Sequence, residues 1–205
     1  SKIKVASWHQ ASVAYFFRKD TASFSVPFVR WYERGNVDWD YAIFTVTGIT
    51  PEQLRSENFP PKNMVHSINV DGKPICIILK RETKDDFIGY QQMKAQEYDS
   101  AIVSLTRALK VDPLNESIYV NLSESYYRKE QIAMATPYID KLLKFAPTYE
   151  SGSYMLGIYY LSSVLPDEAL KVYRNLININ SKYSAAYHIG FLAYAQKQNI
   201  RGAEK

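Results

Sequence analysis

The 205-residue sequence is poor in the residues most often recruited for chemistry. Its one cysteine, Cys76, excludes an internal disulfide framework and a multi-cysteine zinc site, and leaves the redox compartment open. Cys76 lies within Ile75-Cys76-Ile77-Ile78-Leu79, where burial raises a thiol's pKa and leaves it inert. The histidines His9, His66 and His188 are far apart, and none belongs to a His-Glu-x-x-His ligand pattern. No glycine-rich phosphate loop occurs, no apolar run nears the ~18 residues a membrane helix needs, and the start is not signal-like. No catalytic residue, cofactor or metal is expected. The chain opens Ser1-Lys2 without a Met and its last repeat stops partway, which reads as a piece of something longer.

What is present is a hydrophobic content of 46%, enough for a real core, and a net charge of +4. Residues 1–81 hold 11 Lys and Arg against 7 Asp and Glu, whereas residues 82–205 hold 14 of each. Acidic residues interleave with the basic ones, so nucleic acid is not expected as a partner. All three Trp (Trp8, Trp31, Trp39) precede residue 82. A boundary near Arg81–Lys84 therefore separates a small α/β domain, 1–81, from an all-α region, 82–205. The fold class overall is α+β.

The first segment reads as a strand over Ile3–Ser7, a helix over Gln10–Phe17 and a strand over Phe24–Tyr32. Trp39–Val46 is β-rich and nearly uninterrupted, as expected of a central strand covered on both faces. Thr50 looks like an N-cap, with Pro51 in the first helical position and Gln53 three residues after the cap. Met64–Val70 and Lys73–Lys80 flank Asp71-Gly72, a dipeptide that favours the twist of a β-hairpin turn.

The second segment is read by spacing. Ala101, Ala135, Ala169 and Ala203 are each 34 residues apart, and Tyr126, Tyr160 and Tyr194 keep the same step. Gly89, Ser123 and Gly157 are small residues on each first helix, Pro113 and Pro147 close second helices, and Leu105, Ile139 and Tyr173 follow the anchor alanines by four. Antiparallel helices approach closely only where a small side chain faces the crossing, while large ones fill the flanking hollows. This pattern resembles the tetratricopeptide repeat family, with repeats 82–115, 116–149 and 150–183 and a partial fourth, 184–205, supplying one helix and the start of its partner. Asp85 and Gln92 depart from it by standing where large residues are usual, and Pro137 implies a late start for its helix.

The resemblance implies a right-handed superhelix whose first helices line a concave groove, and a non-catalytic scaffold that binds a protein or peptide there. The implied groove positions are Asp86, Tyr90, Met93, Val120, Glu124, Tyr127, Tyr154, Ile158 and Leu161, with His188 at the far end. Such an aromatic surface suits either a peptide or a cap. The carboxylate clamp for chaperone C-termini is disfavoured: Asn121 matches its central Asn, but Asp86 and Tyr90 stand where Lys and Asn belong, and Ser151 and Met155 replace the cationic pair.

Residues 1–81 resemble the soluble segment that follows the membrane helices of polytopic glycosyltransferases of the lipid-linked-sugar type. The residues concerned are Asp40-Tyr41-Ala42-Ile43-Phe44, Pro60-Pro61, His66-Ser67-Ile68 and Val70-Asp71-Gly72-Lys73-Pro74, leading into Ile78-Leu79-Lys80-Arg81. As the alternative to a free scaffold, this likeness implies an accessory tail of a bacterial membrane enzyme, tethered to a membrane region and placed outside the cytoplasm; otherwise the chain is expected to be cytoplasmic. Asp38-Trp39-Asp40 imitates an Asp-x-Asp metal motif but leads into a strand, where the working motif typically follows one, so a structural role is expected.

Overall fold

In the computed structural model, which describes residues 2–203 and side chains as far as residue 200, strands lead and helical hairpins follow. Strand β1 (Ile3–Ser7) passes through helix α1 (Gln10–Phe16) to β2 (Phe24–Ser25), and β3 (Tyr41–Thr45) follows. Helix α2 (Pro51–Leu54) then precedes the hairpin β4 (Met64–Val70) and β5 (Lys73–Lys80). The five strands form one sheet in the order β2-β1-β3-β5-β4, parallel across β1 and antiparallel from β3 onward. The expected capping box on α2 is present, with Thr50 Oγ1 accepting from Gln53 N and Gln53 Oε1 accepting from Thr50 N. Asp71 and Gly72 both adopt positive φ, 48° and 75°, which the tight β4–β5 turn requires.

Two expectations for this segment change. The strand expected over Phe24–Tyr32 ends after Ser25, because Pro27 has no N–H for the ladder; the chain instead winds into a 3₁₀ helix at Trp31–Asn36. β3 is central as expected, yet only Ala42 and Phe44 are sealed in the core, while Tyr41, Ile43 and Thr45 are half-buried. That core gathers Ala6, Val29, Trp31, Trp39, Phe44, Ile77 and Leu79 around an edge-to-face contact of Trp31 with Phe44, ring centroids 5.3 Å apart.

The helices follow at the expected pitch: α3 (Asp85–Lys94), α4 (Tyr98–Val111), α5 (Glu116–Arg128), α6 (Ile132–Phe145), α7 (Glu150–Ser162), α8 (Pro166–Ile179) and α9 (Ser184–Ala203). Ala101, Ala135 and Ala169 are fully buried, as close crossings demand; the side chain of the fourth anchor, Ala203, lies outside the described residues. At Gly89 a Cβ would stand 2.5 Å from Leu105 Cγ, so α3 and α4 touch where no side chain fits. The odd residues of the first repeat find polar partners across the hairpin: Arg107 Nη2 donates to Asp85 at 2.8 Å and Ser104 Oγ to Gln92 Oε1 at 2.8 Å.

Each hairpin turn rests on a left-handed residue at the same 34-residue step, Gln96 (φ 65°), Glu130 (φ 60°) and Val164 (φ 58°). In each, the next N–H reaches back to close the first helix, as in Leu165 N to Tyr160 O at 2.8 Å.

Pro137 corrects the expectation of a late helix start: α6 begins at Ile132 and contains it. The early start carries Ala135 to its buried crossing, with Ala135 N bonded to Gln131 O at 3.1 Å. Among the described residues the expected turn into a fourth second helix is also absent, since α9 runs unbroken to Ala203. The chain forms two compact units that divide within α5, one through Ser125 and one from Tyr126.

Candidate functional site

In the first unit the sheet segment has its own grip on the helices. Gly35 N donates to Ser117 Oγ at 3.0 Å, and a Cβ on Gly35 would stand 2.5 Å from that oxygen, so glycine is what permits the approach. Asn121 Nδ2, the residue matching the clamp asparagine, donates to Asn36 Oδ1 at 2.8 Å. Gln53 Nε2 donates to Glu116 Oε1 at 2.7 Å. Asp86, an implied groove position, accepts instead from Arg81 Nη2 at 2.8 Å. Burial raises the Asp86 carboxyl above its usual range despite Arg81, and burial also lowers the Arg81 guanidinium. The other implied positions of this unit, Tyr90 and Met93 on α3 and Val120 and Glu124 on α5, are half-buried.

In the second unit the implied positions meet in pairs. Tyr127, on the last turn of α5, stacks on Tyr159 of α7 with centroids 4.9 Å apart, and its hydroxyl lies 3.1 Å from Ser162 Oγ. Tyr154 of α7 and His188 of α9 stack at 6.4 Å, with the phenol oxygen 3.2 Å from His188 Nδ1. Ile158 and Leu161 are half-buried on α7, and the Leu161 carbonyl accepts from Gln196 Nε2 at 3.0 Å. Because Tyr154 and His188 differ by one repeat step, the pitch alone aligns them. Tyr159, Ser162 and Gln196 were not among the sequence candidates; Tyr159 is 2% exposed and supports Tyr127 from below. Each pair sets a polar edge, a hydroxyl or an imidazole, beside a tyrosine ring.

The Asp38-Trp39-Asp40 carboxylates are engaged by cations and backbone. Asp38 pairs with Lys4 and with Lys84, the latter at 2.6 Å, and Asp40 Oδ2 accepts from Lys4 N at 2.9 Å. Among the described residues, no group of three or more His, Cys, Asp or Glu side chains could hold a metal ion. Cys76 is half-buried in β5 and burial raises its thiol pKa.

Residues 116–149 match the family model described as Tetratricopeptide repeat. Over 91 residues the chain is 28% identical to the Small glutamine-rich tetratricopeptide repeat-containing protein 2 of Saccharomyces cerevisiae, a match covering 44% of this chain and 26% of the yeast protein, so it reaches a minor part of that protein. Among solved structures, the chain is similar to the MamA protein, with a TM-score of 0.50 and 24% identity over 54% of this chain and 61% of that one. The first TPR of Spaghetti (RPAP3), bound to the HSP90 peptide SRMEEVD, gives a TM-score of 0.48 and 21% identity over 53% of this chain and 86% of its own. The fold is a small N-terminal sheet segment followed by helical repeats of the tetratricopeptide type.

Proposed function

We propose that this chain is a non-catalytic interaction scaffold, and that the surface of its second unit formed by Tyr127, Tyr154, Ile158, Leu161 and His188 captures a peptide segment of a partner protein. The observation behind this reading is the pairing of each outward tyrosine with a polar neighbour, Tyr127 with Ser162 and Tyr154 with His188. Such pairs hold the rings still, so an incoming peptide finds apolar faces already ordered and polar edges within reach. Tetratricopeptide repeats are in general scaffolds of this kind.

An apolar peptide fits this surface better than an acidic C-terminal tail, because Ser151 and Met155 stand where the clamp's cationic pair belongs and give a carboxylate no charge partner. The test is selection from a displayed peptide library, with SRMEEVD included as a separate probe. Captured peptides should lose about tenfold or more in affinity on Tyr154→Ala or Tyr127→Ala, with the helical circular-dichroism signal retained. Unchanged capture by both variants would refute the assignment, and tight binding of SRMEEVD would overturn the preference against acidic tails.

A further inference from the structure

The crossover between β1 and β2 carries a surface that the core does not use. Helix α1 has no buried residue: Phe16 is 80% exposed and Tyr15 60%, their rings edge to face with centroids 6.1 Å apart. The inner side of the crossover is closed by another pair, Phe17 stacked on Phe24 at 4.5 Å, so the two outer rings are surplus to packing. Cations follow closely in the chain. The Arg18 guanidinium lies 3.7 Å over the Tyr15 ring, Lys19 is exposed beside it, and Lys2 Nζ reaches the Thr21 carbonyl on the segment leaving α1. The acid of this stretch, Asp20, accepts from Ser23 N at 3.2 Å.

Residues 1–30 hold Lys2, Lys4, Arg18, Lys19 and Arg30 against Asp20 alone. Lys4 pairs with Asp38 and Arg30 with Glu33, which leaves Lys2, Arg18 and Lys19 as the cations of this tip. We propose that the tip formed by Tyr15, Phe16, Arg18, Lys19 and Lys2 docks on an anionic lipid surface. Phe16 enters the headgroup boundary, Tyr15 sits at it with its hydroxyl in water, and the cations meet lipid phosphates and carboxylates. Charge complementarity selects the anionic surface, and the exposed rings next to the cations select lipid over a purely ionic partner. A single-stranded nucleic acid would need free ring faces along a basic track. Here Arg18 covers one face of Tyr15, and the cations gather at one end of α1. One short apolar wedge gives weak, reversible, salt-sensitive docking.

The experiment is co-sedimentation of the full chain with vesicles of phosphatidylcholine containing phosphatidylserine, beside vesicles of phosphatidylcholine alone and a single-stranded oligonucleotide. Binding to the phosphatidylserine vesicles alone is expected. Phe16→Ser should weaken it about tenfold or more, the loss of one buried aromatic side chain. Lys19→Glu should weaken it about fivefold or more, and Phe16→Trp should retain it. Both positions are exposed, so neither change disturbs the core. No binding to the anionic vesicles, binding unaffected by Phe16→Ser, or preferential binding of the oligonucleotide would each overturn the proposal.

Discussion

Arg34 and Asp112 meet in a two-bond fork, Nε to Oδ2 at 2.8 Å and Nη2 to Oδ1 at 3.0 Å, although 78 residues separate them in the chain. The same guanidinium donates through Nη1 to Glu116 Oε2 at 3.0 Å and to the Trp31 carbonyl at 2.7 Å, and lies 3.7 Å over the Trp31 ring. Arg34 is fully buried. Burial works against its charge, but Asp112 and Glu116 more than offset this and raise its pKa; burial raises the Glu116 carboxyl despite Arg34. The network ties the 3₁₀ helix of the sheet segment to the start of α5.

Arg34→Met should cost about 3–5 kcal/mol, because it strands Asp112 and Glu116 without a counter-charge. Urea unfolding measures it. Adding Asp112→Asn and Glu116→Gln should recover a large part of the loss, since neutral amides carry a far smaller burial cost. If the single change is harmless, water satisfies the acids and the lock is not structural.

Pro137 occupies the sixth position of α6, where it removes the N–H that would bond Ala133 O, and its ring is exposed. Pro137→Ala should therefore stabilise the chain by about 2 kcal/mol, the helix-interior gain less the greater freedom of the unfolded chain. A lower thermal midpoint in this variant would show that the ring packs or shapes the helix in a way its exposure does not reveal.

Val164 holds a left-handed φ of 58° while 58% exposed, a conformation that a β-branched side chain adopts only under strain. Val164→Asn should raise stability by about 1 kcal/mol, whereas Gln96→Asn, unbranched at the equivalent turn, should gain less. Matched chemical denaturation of the two variants makes the comparison.

Asp38 provides the acid limb. Burial pushes its carboxyl upward, but hydrogen bonds from Lys4 and Lys84, with their charges, bring it below the ordinary aspartate value. A folded-state pKa below the unfolded one gives stability that is present above the unfolded value and lost as pH falls through the folded one. Both lysines are more than one third exposed, so the contribution is about 1 kcal/mol or less. Asp38→Asn should be slightly less stable at neutral pH and lose less on acidification, read from urea midpoints across the acid range. Equal acid sensitivity in both proteins would discount this ion pair.

The 34-residue pitch, the anchor alanines, the α2 capping box and the Asp71-Gly72 hairpin were legible because each is a short-range rule: spacing, a cap or a turn conformation acts over a few residues. The pitch also aligns Tyr154 with His188, although the ring stacking and the support of Tyr127 by Tyr159 needed three dimensions. The likeness of residues 1–81 to a glycosyltransferase segment rests on sequence runs alone. Tertiary structure decided how far β2 extends, why Pro137 stays inside α6, and where the polar residues of the sheet segment go. Arg34, Gly35 and Asn36 look like an ordinary turn in sequence; only the fold brings Asp112, Ser117 and Asn121 to them. The physical division is between interactions closed within one turn or one repeat, which composition and spacing encode directly, and buried polar contacts between distant segments. Those distant contacts form only after burial has removed water as the competing partner.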